Sequence, residues 1–98
     1  MYYDLDPEGY ETTALHELVD FAGTDVLEVG CGDGRMTWRY ADEAATVLAV
    51  DSNGMLIERA VKATPDRLRS KVRFLEANIN QIDLPSEAFH IALLAYSL

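Results

Sequence analysis

Four short apolar runs, separated by polar or helical stretches, set the rhythm of this chain. Val26-Leu27-Glu28-Val29 stands between turn residues and predicts a strand over 25–29. Thr46-Val47-Leu48-Ala49-Val50 is apolar at nearly every position, as a parallel strand covered on both faces would be. Val72-Arg73-Phe74-Leu75-Glu76 predicts a third strand, and His90-Ile91-Ala92-Leu93-Leu94-Ala95 a fourth. Between the strands the period changes. Tyr10, Ala14, Leu15, Leu18, Val19 and Ala22 recur at helical spacing, so an amphipathic helix is expected from about Glu8 to Ala22. Asp6-Pro7-Glu8 suits its entry and Gly23 its stop. Arg35 to about Ala45 is helix-compatible. A further helix is expected from Met55 to about Ala63, capped by Ser52 or Asn53 and blocked by Pro65. Met1 to Pro7 reads as an irregular arm, and Ala77 to Glu87 as a loop with room for one helical turn.

Strands alternating with helices predict a parallel sheet with right-handed crossovers, a Rossmann-like α/β fold. Counted from Asp25, the four strands should lie in the order 3-2-1-4. That order puts a topological switch point beside the first strand, where ligands of open α/β sheets bind. The fourth strand would be a bare apolar edge, since no helix or strand follows it in the sequence. Residues 1–98 therefore read as a single (half) domain, truncated after the fourth strand, and the bare edge predicts a homodimer through that strand.

Composition narrows the class. A chain of 98 residues allows one small domain. Seventeen acidic against eight basic residues, a formal net charge of −9, argue against a nucleic-acid partner. No apolar run approaches the roughly 18 residues needed to span a bilayer, and no basic-then-apolar leader opens the chain, so no membrane partner is expected. Cys31 is the only cysteine, which excludes an internal disulfide and fits a reducing, cytoplasmic location. The basic residues gather loosely from Arg59 to Arg73 and read as a solvated helix face and turn.

The chemistry gathers around Val26-Leu27-Glu28-Val29-Gly30-Cys31-Gly32-Asp33-Gly34-Arg35. A strand that runs into a glycine-rich turn and then a helix lets a ligand approach bare backbone. A dinucleotide fingerprint would need its third glycine at position 35, which is Arg35, and the phosphate-loop Gly-Lys-Ser/Thr ending is missing. Glu28 is unhelpful to a phosphate but suits a ligand with an ammonium group. Downstream, Asp51 closes the second strand 19 residues after Gly32, where a carboxylate can accept from both hydroxyls of a ribose. A nicotinamide dinucleotide would use the same acid.

This combination closely resembles the first two motifs of the class I S-adenosylmethionine-dependent methyltransferases. The resemblance implies that Glu28, Gly30, Cys31 and Gly32 line the methionyl end of S-adenosylmethionine, with Asp33 and Gly34 supporting the turn. It implies that Asp51 holds the ribose and that Ser52, Asn53 and Met55 flank the adenine. Phe74 to Pro85 resembles the family's stretch after the third strand, with Asn78 in place of the usual acid, so Asn78 and Ile79 are expected at the adenine. An asparagine bonded to its own loop backbone is the plainer alternative for Asn78. Phe89-His90 replaces a common Phe-Asp, and His90 reads as a sheet-end histidine. Ala95-Tyr96-Ser97-Leu98 lacks the Asn/Asp-Pro-Pro-aromatic tetrapeptide of nucleobase amine methylation. A small-molecule acceptor is therefore expected, the cofactor-binding part alone being in view. The alternatives are a cofactor-binding module without turnover and an oxidoreductase-type Rossmann domain that takes NAD(P).

Of the remaining candidates, Cys31 reads as a small residue packed beneath the glycines, since no motif pairs it with a base. Trp38 and Tyr40 read as packing residues and His16 as a solvated mid-helix residue. Tyr2, Tyr3 and Tyr10 form an aromatic arm that either shields the core or lies over the pocket. No residue is assigned as a catalytic base.

Overall fold

All four apolar runs form strands in the computed structural model, which describes residues 2–4, 16, 19–81, 83 and 86–95. They are β2 (Asp25–Val29), β3 (Thr46–Asp51), β4 (Val72–Glu76) and β5 (Ile91–Leu94), and an additional short strand, β1, covers Tyr2–Asp4. The sheet has the order β1-β5-β2-β3-β4, and every pairing in it is parallel. The predicted order of the four main strands is therefore the observed one.

The edge is not where it was expected. Tyr2, Tyr3 and Asp4 pair with Ala92, Leu93 and Leu94, so β5 is an interior strand with a neighbour on each side. Where an irregular arm was expected over 1–7, Tyr2–Asp4 is thus a strand, and the rest of that segment lies outside the described residues. The homodimer expected through a bare fourth strand loses its basis, because β1 already satisfies that row of backbone groups.

The helix α1 (Gly54–Ala63) forms as predicted, and Asn53 rather than Ser52 caps it. The Asn53 side-chain oxygen accepts the N–H groups of Met55 (3.1 Å) and Leu56 (3.3 Å), two of the donors a helix start leaves unpaired. At the other end Thr64 turns extended before Pro65, and its hydroxyl donates back to the Ala60 carbonyl at 2.8 Å. The helix buries Ile57 and Ala60 against the sheet.

Elsewhere the helical expectation is too generous. The stretch after the glycine turn is a tight winding with one short 3-10 segment, Thr37–Arg39, in place of a helix to Ala45. The chain must return from Gly34 to β3 within a dozen residues while turning Thr37 and Tyr40 inward, so i→i+3 and i→i+4 bonds alternate along it. The helix expected over 8–22 falls mostly outside the described residues. Of its end, Val19–Phe21 is irregular, because the Asp20 side chain accepts the Ala22 N–H at 3.1 Å in a local turn. Gly23 follows with φ +68°.

Two other surface readings change. His16 is half-buried: its Nε2 lies 2.8 Å from the Arg39 carbonyl, its Nδ1 3.3 Å from Glu43, and its ring edge meets Phe21. In the basic stretch, Arg67 makes a bidentate pair with Asp42 at 2.8 and 3.0 Å, which holds the Asp42 carboxyl below the usual range. Lys71 donates to the carbonyls of Asp42 and Ala44. These cations tie the segment before β3 to the segment before β4.

The core forms one cluster through the sheet, including Phe21, Val26, Tyr40, Val47, Ala49, Leu68, Val72 and Leu93. In-register pairing of Val29 with both Val50 and Leu94 brings the carboxyl ends of β2, β3 and β5 to one edge. The loops that follow β2 and β3 therefore start side by side. That is where the site lies.

Candidate functional site

The glycine turn is fastened to the end of β3. The N–H groups of Gly30 and Cys31 donate to the Val50 carbonyl at 2.8 and 3.2 Å. Gly32 donates to Asp51 Oδ2 at 2.9 Å, and Asn53 donates to Asp51 Oδ1 at 2.8 Å. One carboxylate thus braces both the glycine turn and the entry to α1, while a carboxylate's remaining lone pairs stay available to a ligand.

Gly30, Gly32 and Gly34 all have positive φ, at 82°, 56° and 91°. The alternation of glycines is therefore accounted for by the turn itself, and the argument for a ligand rests on the side chains around it. Gly34 is more constrained than Gly32, since a Cβ there would lie 2.7 Å from Trp38 Cζ2. At Gly32 a Cβ would meet only Leu56 Cδ1, at an ordinary 3.9 Å. Gly34→Ala is expected to cost about 2–3 kcal/mol of stability, and Gly32→Ala only about 1 kcal/mol for its backbone conformation. Urea unfolding of the two variants checks the order; equal costs would contradict it.

Glu28 is fully buried at the centre of the site. The Thr37 hydroxyl donates to its Oε1 at 2.8 Å and the Tyr40 hydroxyl donates to the same oxygen at 2.6 Å. Oε2 is buried and has no hydrogen-bond partner among the described residues. Burial pushes the carboxyl up to about 7, against the two hydroxyl bonds, which lower it, and Asp51 adds a smaller upward push. The Tyr40 ring stacks on Phe21 with centroids 4.5 Å apart. Its reading as a packing residue was incomplete, for it both packs and donates. Cys31 is buried, and burial together with the nearby Glu28 and Asp51 carboxyls pushes its thiol far up, so it stays protonated and packs as a small side chain.

Two adjoining cavities open along this edge. The first, about 220 Å³, is lined by Glu28, Gly30, Cys31, Gly32, Asp33, Arg35, Met36, Arg39, Leu56 and Ala95. The second, about 460 Å³, is lined by Val29, Gly30, Val50, Asp51, Ser52, Asn53, Leu56, Ala77, Asn78, Ile79 and Asn80. Gly30 and Leu56 line both, so the two form one groove, with an acid at each station.

Of the residues expected to bind the cofactor, Glu28, Gly30, Cys31 and Gly32 line the first cavity. Asp51, Ser52, Asn78 and Ile79 line the second. Met55 lines neither and is largely exposed. With Asn53 as the cap, the step of about 100° per residue puts Leu56 where Met55 was expected. The Asn78 side-chain oxygen accepts the Asn80 N–H at 3.0 Å, the local loop bond weighed as the plainer alternative, and keeps a second lone pair. His90 is a sheet-end residue whose Nδ1 accepts the Asp25 N–H at 2.9 Å. Tyr10 and Tyr96 lie outside the described residues, as do the side chains of Tyr2 and Tyr3.

Sequence reasoning missed Leu56, Thr37 and Tyr40. A usable signal existed for the last two. A carboxylate at the end of a covered strand requires donors, and hydroxyls at 37 and 40 share one face of a single turn.

Comparison with known proteins identifies the family. A family described as a methyltransferase domain matches residues 26–98, most of the chain. The chain belongs to the class I S-adenosylmethionine-dependent methyltransferases, and S-adenosylmethionine is the cofactor of that family. A ribosomal protein arginine N-methyltransferase of Schizosaccharomyces pombe is 34% identical over 79 residues, which is 80% of this chain and 14% of that protein. The mitochondrial ubiquinone biosynthesis O-methyltransferase of the same yeast is 32% identical over 79 residues, 79% of this chain and 29% of that protein. Among solved structures, an S-adenosylmethionine-dependent methyltransferase from Mesorhizobium loti aligns with a TM-score of 0.70 at 26% identity, covering 84% of this chain and 37% of that one. The chain thus spans well under half the length of each of these relatives.

Proposed function

We propose that this chain is the cofactor-binding part of an S-adenosylmethionine-dependent methyltransferase whose acceptor is a small molecule. The observation that carries the cofactor assignment is the buried, unpartnered Glu28 Oε2 in a groove that continues to Asp51. Glu28 would take the ammonium of the methionyl end, with Gly30, Cys31 and Gly32 presenting backbone beside it. Asp51 would take the ribose hydroxyls, and Ser52, Leu56, Asn78 and Ile79 would border the adenine. When bound, the cofactor supplies an electrophilic methyl on sulfonium; the chain's part is to orient it and keep water away. The relatives differ in acceptor, one named for a ribosomal protein and one for ubiquinone biosynthesis. The small-molecule choice is supported by the net charge of −9, which disfavours nucleic acid, and by the absence of the amine-methylation tetrapeptide after β5. A cytoplasmic location is proposed on the single cysteine, Cys31, which is free and buried.

The test is a melting experiment with competing ligands. S-adenosylhomocysteine at 100 times its Kd is expected to stabilise the chain by about 2.7 kcal/mol, while NAD at the same concentration leaves it unchanged. Stabilisation by NAD alone would favour the oxidoreductase-type alternative. With methyl-tritiated S-adenosylmethionine and a small-molecule extract, label is expected in the small-molecule fraction; label appearing only in added protein would contradict the choice of acceptor.

A further inference from the structure

Glu28 combines three features that the cofactor assignment alone does not require. It is completely buried, both of its hydrogen-bond donors are neutral hydroxyls on one oxygen, and the other oxygen is unpartnered among the described residues. A carboxylate in that state has little to stabilise its charge until a cation arrives. We propose that Thr37 and Tyr40 are positioning residues that together hold Oε1 and leave Oε2 unpartnered, and that Glu28 stands protonated in the free chain and gives up its proton when an ammonium-bearing ligand enters. The second part rests on the reading of the groove as an S-adenosylmethionine site.

The charged and titratable groups around Glu28 support this arrangement. Tyr40 approaches it from the turn after Gly34, and burial and Glu28 hold its phenol well above the usual range, so it remains a donor. Cys31, in the glycine turn, is a protonated thiol. Asp51, at the end of β3, adds negative charge, which disfavours ionisation of Glu28. Asp33, Arg35 and Arg39 line the same cavity, and the apolar Ala95, just after β5, closes it from that side. The Glu28 carboxyl is accordingly pushed up to about 7, and the two hydroxyl bonds oppose the rise. The proton balance is simple. A neutral Glu28 carboxyl and a ligand ammonium become a carboxylate–ammonium pair, and one proton passes to the buffer. Affinity should therefore fall as pH drops below about 7, approaching tenfold per unit, and level off above it.

Two measurements on the full chain separate this proposal from the cofactor assignment. In the ligand-free chain labelled with 13C at glutamate side chains, the Glu28 carboxyl, identified by its loss in Glu28→Gln, is expected to titrate near pH 7. Tyr40→Phe keeps the ring and Thr37→Val keeps the shape, and each should raise that midpoint by about one unit by removing a donor to the charged form. A midpoint in the ordinary glutamate range, or one that neither variant moves, overturns the positioning roles whether or not any cofactor binds. Calorimetric titration with S-adenosylhomocysteine at pH 6, in phosphate and in Bis-Tris, should then show enthalpies that differ by nearly one buffer protonation. Equal enthalpies overturn the proton release. Absence of binding at pH 8 with the titration near 7 intact overturns it too, and places the error in the cofactor assignment, not in the hold on Glu28.

Discussion

Asp51→Ala is expected to weaken S-adenosylhomocysteine binding by about a hundredfold or more. Two losses combine. The ribose hydroxyls lose a charged acceptor, and hydrogen bonds to charged groups contribute about 1.5–3 kcal/mol each, with about 1.4 kcal/mol equal to tenfold. The Gly32 and Asn53 N–H groups also lose the oxygens they donate to at 2.9 and 2.8 Å, so the glycine turn is no longer braced against the start of α1. Asp51→Asn keeps one acceptor oxygen and is expected to lose only about tenfold. A titration of both variants checks the ranking. Affinity within twofold of the parent for Asp51→Ala would remove Asp51 from the site, whatever its role in the turn.

The second large effect is on stability and carries a sign that depends on pH. In the folded chain the Glu28 carboxyl is pushed from 4.5 up to about 7. Between those values the folded state holds a proton that the unfolded state has released, so stability falls as pH rises through that window. The loss from this one group approaches about 3 kcal/mol by pH 8. Glu28→Gln removes the titration while keeping an acceptor for Thr37 and Tyr40. The variant is therefore expected to differ little from the parent at pH 5 and to be more stable by about 2–3 kcal/mol at pH 8. It should also bind the cofactor more weakly, because a neutral amide cannot pair with an ammonium. Denaturant unfolding at the two pH values reads the effect directly. Parallel stability profiles for parent and variant would show that Glu28 is not held as described. The expected pattern is a common one for functional sites, in which a group kept for binding destabilises the fold that carries it.

The four main strands were legible because each is a short apolar run between turn residues, and their order followed from alternation with helices. The strand at Tyr2–Asp4 was not legible. Three residues carry no usable period, and the partner that makes them a strand, β5, lies nearly 90 residues away in the sequence. Without it β5 looked like an edge and suggested a dimer. The glycine turn and Asp51 were legible through spacing, yet the reason for three glycines was read as close approach of a ligand when positive φ at each already requires them. Met55 was displaced by Leu56 because the cap could be either Ser52 or Asn53, and one residue of helix rotates the facing side chain out of the groove. Thr37 and Tyr40 escaped because their role depends on how tightly the segment after Gly34 winds. Hydrophobic periodicity does not encode that winding, whereas the need of a buried carboxylate for donors does.

The most direct measurement is calorimetric titration of the 98-residue chain with S-adenosylhomocysteine at pH 8, with NAD as competitor and Asp51→Ala as control. One-to-one binding that NAD leaves undisturbed and the substitution abolishes is the expected result. A cooperatively folded chain that gives no binding heat, or one from which NAD displaces the ligand, would contradict the assignment of the groove from Glu28 to Asp51 as an S-adenosylmethionine site.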